Sequence, residues 1–222
     1  MEYSSENKLN LKNVTLVAVS SVKLPATIKA LEYSMRHIEF GDVKLVTDAD
    51  LIHDSIKIAK CNNIFSLDEY SRLMIYDLKN YIDTEFALTV QHDGFAVNAN
   101  MWRDEFLEYD YIGAPWPDDF FYDDFGESIR VGNGGFSLRS KRLMNIFSEK
   151  NVEWKQYRGY WNEDGFISMH NLHFLRDNGI KFPTAELAYK FSREIQCDDL
   201  DNTTEPFGFH NYRDKNLQYP RF

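Results

Sequence analysis

Apolar positions along this chain fall in short blocks that change period. NVTLVAVSS (13–21) is an almost unbroken apolar, β-branched run and predicts a buried strand of parallel type. LPATIKALEYSMRHI (24–38) switches to helical spacing, with Pro25 tolerable in the first turn. GDVKLVTD (41–48) predicts a second strand that ends in polar residues. SLDEYSRLMIYDLKNYI (66–82) reads as a helix, with Ser66 as N-cap and Glu69 three positions on as a capping box. FALTVQHDGFAVN (86–98) supplies a third strand that runs straight into Gln91, His92, Asp93 and Gly94 before turning apolar again. Strand, helix, strand, helix, strand predicts an α/β fold with a mostly parallel sheet, flanking helices and right-handed crossovers.

The second half is less regular. The pattern predicts a short helix and then a strand at 111–113 within MWRDEFLEYDYIGAPWP (101–117). PDDFFYDDFGESIR (117–130) is acidic, aromatic and loop-like. VGNGGFSLRS (131–140) predicts a Gly-rich turn into a short strand, and SKRLMNIFSEK (140–150) a helix. A loop becoming a helix follows at 160–180, with Gly179 as its stop. There is no internal repeat and no linker, so residues 1–222 read as one domain, with 1–12 a loosely ordered arm.

Composition narrows the function. Apolar residues make up 43% of 222 positions, enough for a globular core, and aromatics reach 15%, which suits a dense core or a site that stacks flat rings. Lys and Arg total 25 against 35 Asp and Glu, a formal net charge of -10. Affinity for nucleic acid rests largely on cations that neutralise phosphate, so general nucleic-acid binding is not expected, and anionic membrane surfaces are disfavoured too. Cys61 and Cys197 have no metal spacing and read as reduced thiols. The polar start lacks the plan of a signal peptide, and no apolar run could span a bilayer. The expected location is the cytoplasm.

In open α/β sheets ligands bind beyond the carboxyl ends of the strands, and three polar clusters fall there: Ser20 with Ser21, Thr47 with Asp48, and Gln91 to Asp93. Asp93 has two readings. It is a ligand for Mg²⁺ or Mn²⁺, which take oxygen donors, or an Asp that caps the turn before Gly94. Asn133, Gly134 and Gly135 either let backbone approach a ligand or form a plain hairpin turn. Glu163 and Asp164 in WNEDG (161–165) hold a general base or simply interact with a helix dipole. His210 is a metal ligand or a packed histidine. His92 should point away from Asp93 if the strand stays regular. His170 and His173 read as ordinary residues, and Arg72 as a phosphate partner or an exposed helix charge. No G-x-S-x-G elbow and no zinc-type Cys/His set is present.

Taken in order, VTLVAVSS, EYSRLMIYDL, TVQHDGF, YDYIGAPWP, VGNGGFSLRS, NEDGFI, GIKFPTAELAYKFS and FGFH resemble an uncharacterised domain family of GT-A-type glycosyltransferases found in bacteria and viruses. The likeness runs over residues 13–212. It implies a GT-A-like, Rossmann-like sheet and transfer of a sugar from a nucleoside diphosphate sugar to a hydroxyl acceptor, a glycan or, in a virus, a modified nucleobase. It implies a divalent cation, Mn²⁺ or Mg²⁺, held by Asp93 and His210. QHDG stands where such enzymes carry D-x-D, with Gln91 replacing the first acid. It further implies Asp164 as general base of an inverting reaction and Glu163 as ligand of the acceptor hydroxyl. Ala18, Ser20, Arg72, Gln91, Gly94, Trp116, Asn133, Gly134, Gly135 and Trp161 fall to donor and acceptor binding. The missing acid leaves a second reading, a sugar- or nucleotide-binding module with a decayed transferase site. A nucleotidyltransferase is a third.

Overall fold

The computed structural model describes residues 8–123, 125–155, 162–212 and 219–222. A six-stranded sheet forms its centre: β1 (Leu9–Val19), β2 (Ile38–Thr47), β3 (Lys57–Lys60), β4 (Phe86–Thr89), β6 (Tyr111–Ile112) and β7 (Ser137–Ser140). Their order across the sheet is β3-β2-β1-β4-β7-β6. The first four strands are parallel, while β7 runs antiparallel to β4 and to β6. A second, three-stranded sheet joins β5 (Gly94–Ala96), β9 (Gly208–His210) and β8 (Ser192–Arg193) in that order.

This is a mixed α/β domain with a mostly parallel central sheet, as the alternating pattern predicts. β1 starts at Leu9 rather than at residue 13, because Leu9 to Leu11 pair with Ile38 to Phe40. Part of the expected N-terminal arm is therefore strand. A bulge follows, and Gly41 accommodates it, since a Cβ there would stand 2.1 Å from the Lys12 carbonyl oxygen.

Helix α1 (Leu24–Ser34) crosses from β1 to β2, with Pro25 in its first turn as expected. Helix α2 (Leu67–Arg72) starts on Ser66, whose Oγ accepts the Glu69 amide at 3.2 Å. The helix then widens into a π-turn (Leu73–Asp77) and tightens into a 3₁₀ turn (Leu78–Tyr81). Helix α3 (Lys141–Glu149) follows β7 and is capped by Ser140. A one-turn helix α4 (Glu163–Gly165) leads through a second π-turn (Phe166–His170) into α5 (Leu172–Asp177), and Gly179 (φ 75°) ends that run. Helix α6 (Ala185–Phe191) runs directly into β8.

The core packs Leu16, Ala18, Leu45 and Leu88 of the sheet with Phe95, Phe136, Phe191 and Phe207, and the last three rings contact one another at 5.1 to 5.9 Å between centroids. The abundance of phenylalanine is spent here, where the small sheet meets the large one. No helix among the described residues is long and apolar enough to cross a membrane.

Candidate active site

At the carboxyl end of β4 the strand folds back on itself. Gln91 and Gly94 exchange backbone hydrogen bonds at 2.8 and 3.1 Å, which puts His92 and Asp93 at the corner of a tight turn. The side chains therefore do not alternate as in a regular strand, and His92 Nδ1 stands 3.4 Å from Asp93 Oδ1. On its other side His92 Nε2 meets Lys23 Nζ at 2.9 Å. Burial makes the His92 proton easier to lose, Asp93 pulls the other way, and the charges of Lys23 and His210 add to the lowering.

Beyond β1 and β4 opens a pocket of about 380 Å³, lined by Ser20, Ser21, Tyr70, Gln91 and His92 among others. Val22 and Phe65 border it, 70% and 81% exposed. Ser21 Oγ is buried there without a hydrogen-bond partner. Gln91 Nε2 donates to Tyr70 Oη at 3.0 Å.

The antiparallel strand β7 brings the Gly-rich turn to the same end of the sheet. Asn133 adopts φ 63°, and its Oδ1 accepts the Gly135 amide at 2.9 Å, while its Nδ2 is buried without a hydrogen-bond partner. Thr89 Oγ1 and Ser137 Oγ, 2.7 Å apart, tie β4 to β7 beneath the turn. Both glycines are needed for what lies against them. A Cβ at Gly134 would stand 1.7 Å from Glu163 Oε1, and one at Gly135 would stand 2.2 Å from His210 Nε2.

Four carboxylates and a buried arginine surround this turn. Asp93 and His210, far apart in sequence, come together as expected, with Asp93 Oδ1 3.8 Å from His210 Nε2. That separation is too long for a hydrogen bond, and Asp93 Oδ1 is buried with none. His210 Nδ1 meets Glu194 Oε1 at 3.0 Å. Burial disfavours a charged His210, but the Glu194 hydrogen bond and charge, then Asp93 and Asp164, outweigh it and raise its pKa.

Asp164 is half-buried. Its Oδ1 accepts from Gly165 N at 2.8 Å and Asn162 Nδ2 at 2.7 Å, and its Oδ2 only distantly from Gly134 N at 3.4 Å. Burial first, then the neighbouring charge of Glu163, pushes its pKa up to about 6. That suits proton transfer near neutrality.

Several residues take places other than those expected. Glu163 is 4% exposed and paired with Arg139 Nη2 at 3.0 Å, so it is closed to an acceptor hydroxyl and acts on Asp164 through its charge. Trp116 is 6% exposed, with its ring filling the space over Gly132, and so offers no face to a sugar. Ala18 buries its methyl group in the core. Arg72 faces a separate groove of about 610 Å³ with Lys60, Asn62 and Asn80, and its Nε binds Asp68 at 3.0 Å. Trp161 lies outside the described residues. Asp48 serves a turn, accepting the Ile64 amide at 3.3 Å.

Arg139, Glu194, Tyr70 and Lys23 join the site without having been singled out. Arg139 had one legible signal, a charge inside a short strand that follows a glycine turn. Glu194 had none, because its partner lies on another strand.

The donors fit a divalent cation. An orphaned, buried carboxylate oxygen faces an imidazole nitrogen, and oxygen with nitrogen donors suits Mn²⁺, while Mg²⁺ commonly needs only one or two carboxylates beside phosphate oxygens. Elsewhere His173 departs from its expected role: Asp123 and Glu127 of the 117–130 loop gather around it. Those groups are already satisfied by one another, by backbone amides and by Arg176.

A family profile described as protein of unknown function (DUF5672) matches residues 55–210. The chain belongs to that family. The DUF5672 match takes in every site residue from Tyr70 to His210, while β1, α1 and β2, with Ser20, Ser21 and Lys23, precede it. No curated protein matches the chain.

Proposed function

We propose that this chain is an inverting glycosyltransferase of GT-A type, which moves a sugar from a nucleoside diphosphate sugar to an acceptor hydroxyl. One observation carries the reading: Asp164, a half-open carboxylate tuned to about 6, shares one turn of backbone with the Asp93–His210 donor pair, beside a pocket at the carboxyl ends of parallel strands.

The nucleotide takes the pocket between Ser20, Tyr70 and Gln91, with its diphosphate toward His92 and Asp93. Lys23 offers a cation at that edge. Asp164 Oδ2, which has only one distant donor, takes the proton from the acceptor hydroxyl. The freed oxygen attacks the anomeric carbon, the bond from that carbon to the diphosphate breaks, and the nucleoside diphosphate leaves with the electron pair. A divalent cation held by Asp93 and His210 would neutralise charge on the leaving diphosphate. Arg139 holds Glu163, and Glu163 keeps the Asp164 carboxyl from ionising too easily. The two unpaired cysteines and the lack of a spanning helix among the described residues are in keeping with a cytoplasmic setting.

Asp164→Asn tests this. Transfer should fall by at least about a thousandfold while nucleotide binding survives. Retained transfer would remove Asp164 as base. Gln91, in place of an acid, favours the binding-module reading, and that reading predicts nucleotide or sugar binding without turnover in the wild type. Thermal shifts with a panel of nucleoside diphosphates, in Mn²⁺, Mg²⁺ or EDTA, name the donor class first.

A further inference from the structure

The His210 ring has little freedom. Its strand, β9, pairs with β5 on one side and β8 on the other, with Gly94 opposite His210 and Arg193 opposite Phe209. Continuing the β8 register by one residue puts Glu194 beside His210. The backbone of Gly135 and Gly94 closes on the ring, so that a Cβ at either position would stand 2.2 Å from Nε2 or 2.8 Å from Cδ2. The two ring nitrogens therefore see fixed and different neighbours. Nδ1 has Glu194 Oε1 at 3.0 Å, a hydrogen bond, and Nε2 has Asp93 Oδ1 at 3.8 Å, which is not one.

A neutral imidazole carries one proton, and the nitrogen that makes the hydrogen bond keeps it. With N–H at Nδ1 donated to Glu194, Nε2 turns a lone pair toward Asp93 Oδ1. Two electron-pair donors then face each other across 3.8 Å, one of them buried without a hydrogen bond. A cation between them resolves that arrangement.

We propose that Glu194 is a positioning residue: it fixes the tautomer and the orientation of His210 so that Nε2 and Asp93 Oδ1 present themselves to one divalent cation. Carboxylates that hold a metal-binding histidine this way raise its affinity for the ion by about 10- to 100-fold. The cation's catalytic use rests on the transferase reading, but its binding does not.

The test is Mn²⁺ titration of the whole chain, followed by the electron paramagnetic resonance of the free ion, with no nucleotide present. Wild type, Glu194→Gln, Glu194→Ala and Asp93→Asn are compared, each with its melting temperature measured in EDTA. The wild type should bind Mn²⁺ and show nitrogen coupling from a coordinated imidazole. Glu194→Ala should weaken binding about 10- to 100-fold and diminish that coupling. Glu194→Gln, whose amide oxygen still accepts Nδ1–H, should lose less, and it decides the matter if the alanine variant does not fold. Asp93→Asn should bind weakly while its nitrogen coupling persists at saturation. Equal Mn²⁺ affinity in the wild type and both Glu194 variants overturns the inference. So does a wild type that binds no Mn²⁺, in which case His210 is a cation shared between two acids. Glu194-dependent binding in a chain that takes no nucleotide would sink the transferase reading and leave this inference standing.

Discussion

At the scale of single residues, Asp164 carries the most consequence. Its pKa is raised to about 6 from the ordinary 3.8, so the folded chain holds a proton that the unfolded chain has already lost between those values. The sign follows: stability falls as pH climbs through that window, and the ionised carboxylate burdens the fold at pH 8. Asp164→Asn should therefore raise the melting temperature over wild type at pH 8, with the gain vanishing near pH 4. Calorimetry across that range checks it. The rate of transfer should run the other way, dropping tenfold per pH unit below about 6 in a pH profile of kcat/KM. Behind it, Arg139 and Glu163 form a buried pair at 1% and 6% side-chain exposure. Arg139→Met strands a buried carboxylate and should cost about 3–5 kcal/mol in urea denaturation. Adding Glu163→Gln should recover part of that loss, since no unpaired charge then remains inside.

At the scale of elements, local signals in the chain match the structure wherever neighbours in sequence decide the outcome. Ser66 caps α2, and Glu69 Oε2 accepts hydrogen bonds from the Phe65 amide at 2.8 Å and from Ser66 Oγ at 3.0 Å. Ser66→Ala should cost about 1 kcal/mol, read as a shifted urea midpoint. The π-turns were not anticipated, although a trace was present. Leu73, Met74 and Ile75 are buried in succession, as are Phe166 to Met169, whereas a regular helix turns successive residues away from a single face. The apolar run LMI and the nearly apolar run FISM are the visible sign. The short strands β5, β8 and β9 were out of reach, because two or three residues gain strand geometry only from partners far along the chain. Glu194 shared that fate. Asp93, Asp164 and His210 stand in motifs visible in the sequence, and the fold brings them to one turn, whereas Trp116 fills the space over Gly132, because an aromatic beside prolines looks the same in sequence whether it lines a site or packs.

At the scale of the molecule, the chain carries a net charge of -10, and the proposed function asks its pocket to take an anion. Local positive charge there is sparse, with Lys23 at its edge. Long-range repulsion should slow capture of a nucleoside diphosphate sugar at low ionic strength. Raising salt from 10 to 150 mM shortens the screening length from roughly 30 to 8 Å, so the donor KM should fall rather than rise. A steep rise would mean that local cations dominate the encounter. The sheet order has a further effect: β7 enters antiparallel between β4 and β6, so a turn that precedes a strand meets turns that follow strands at one edge.

The pairing of β5 with β9 also sets a timetable for the ribosome. Synthesis delivers β1 to β7 first, and the large sheet can close while the last strand is still in the exit tunnel. Until residues 208–210 emerge, Gly94 to Ala96 offer an unpaired edge beside Phe95, and Asp93 waits without its histidine. A nascent chain at that stage would be folded in its body and blank at its site, open to a chaperone at that one edge.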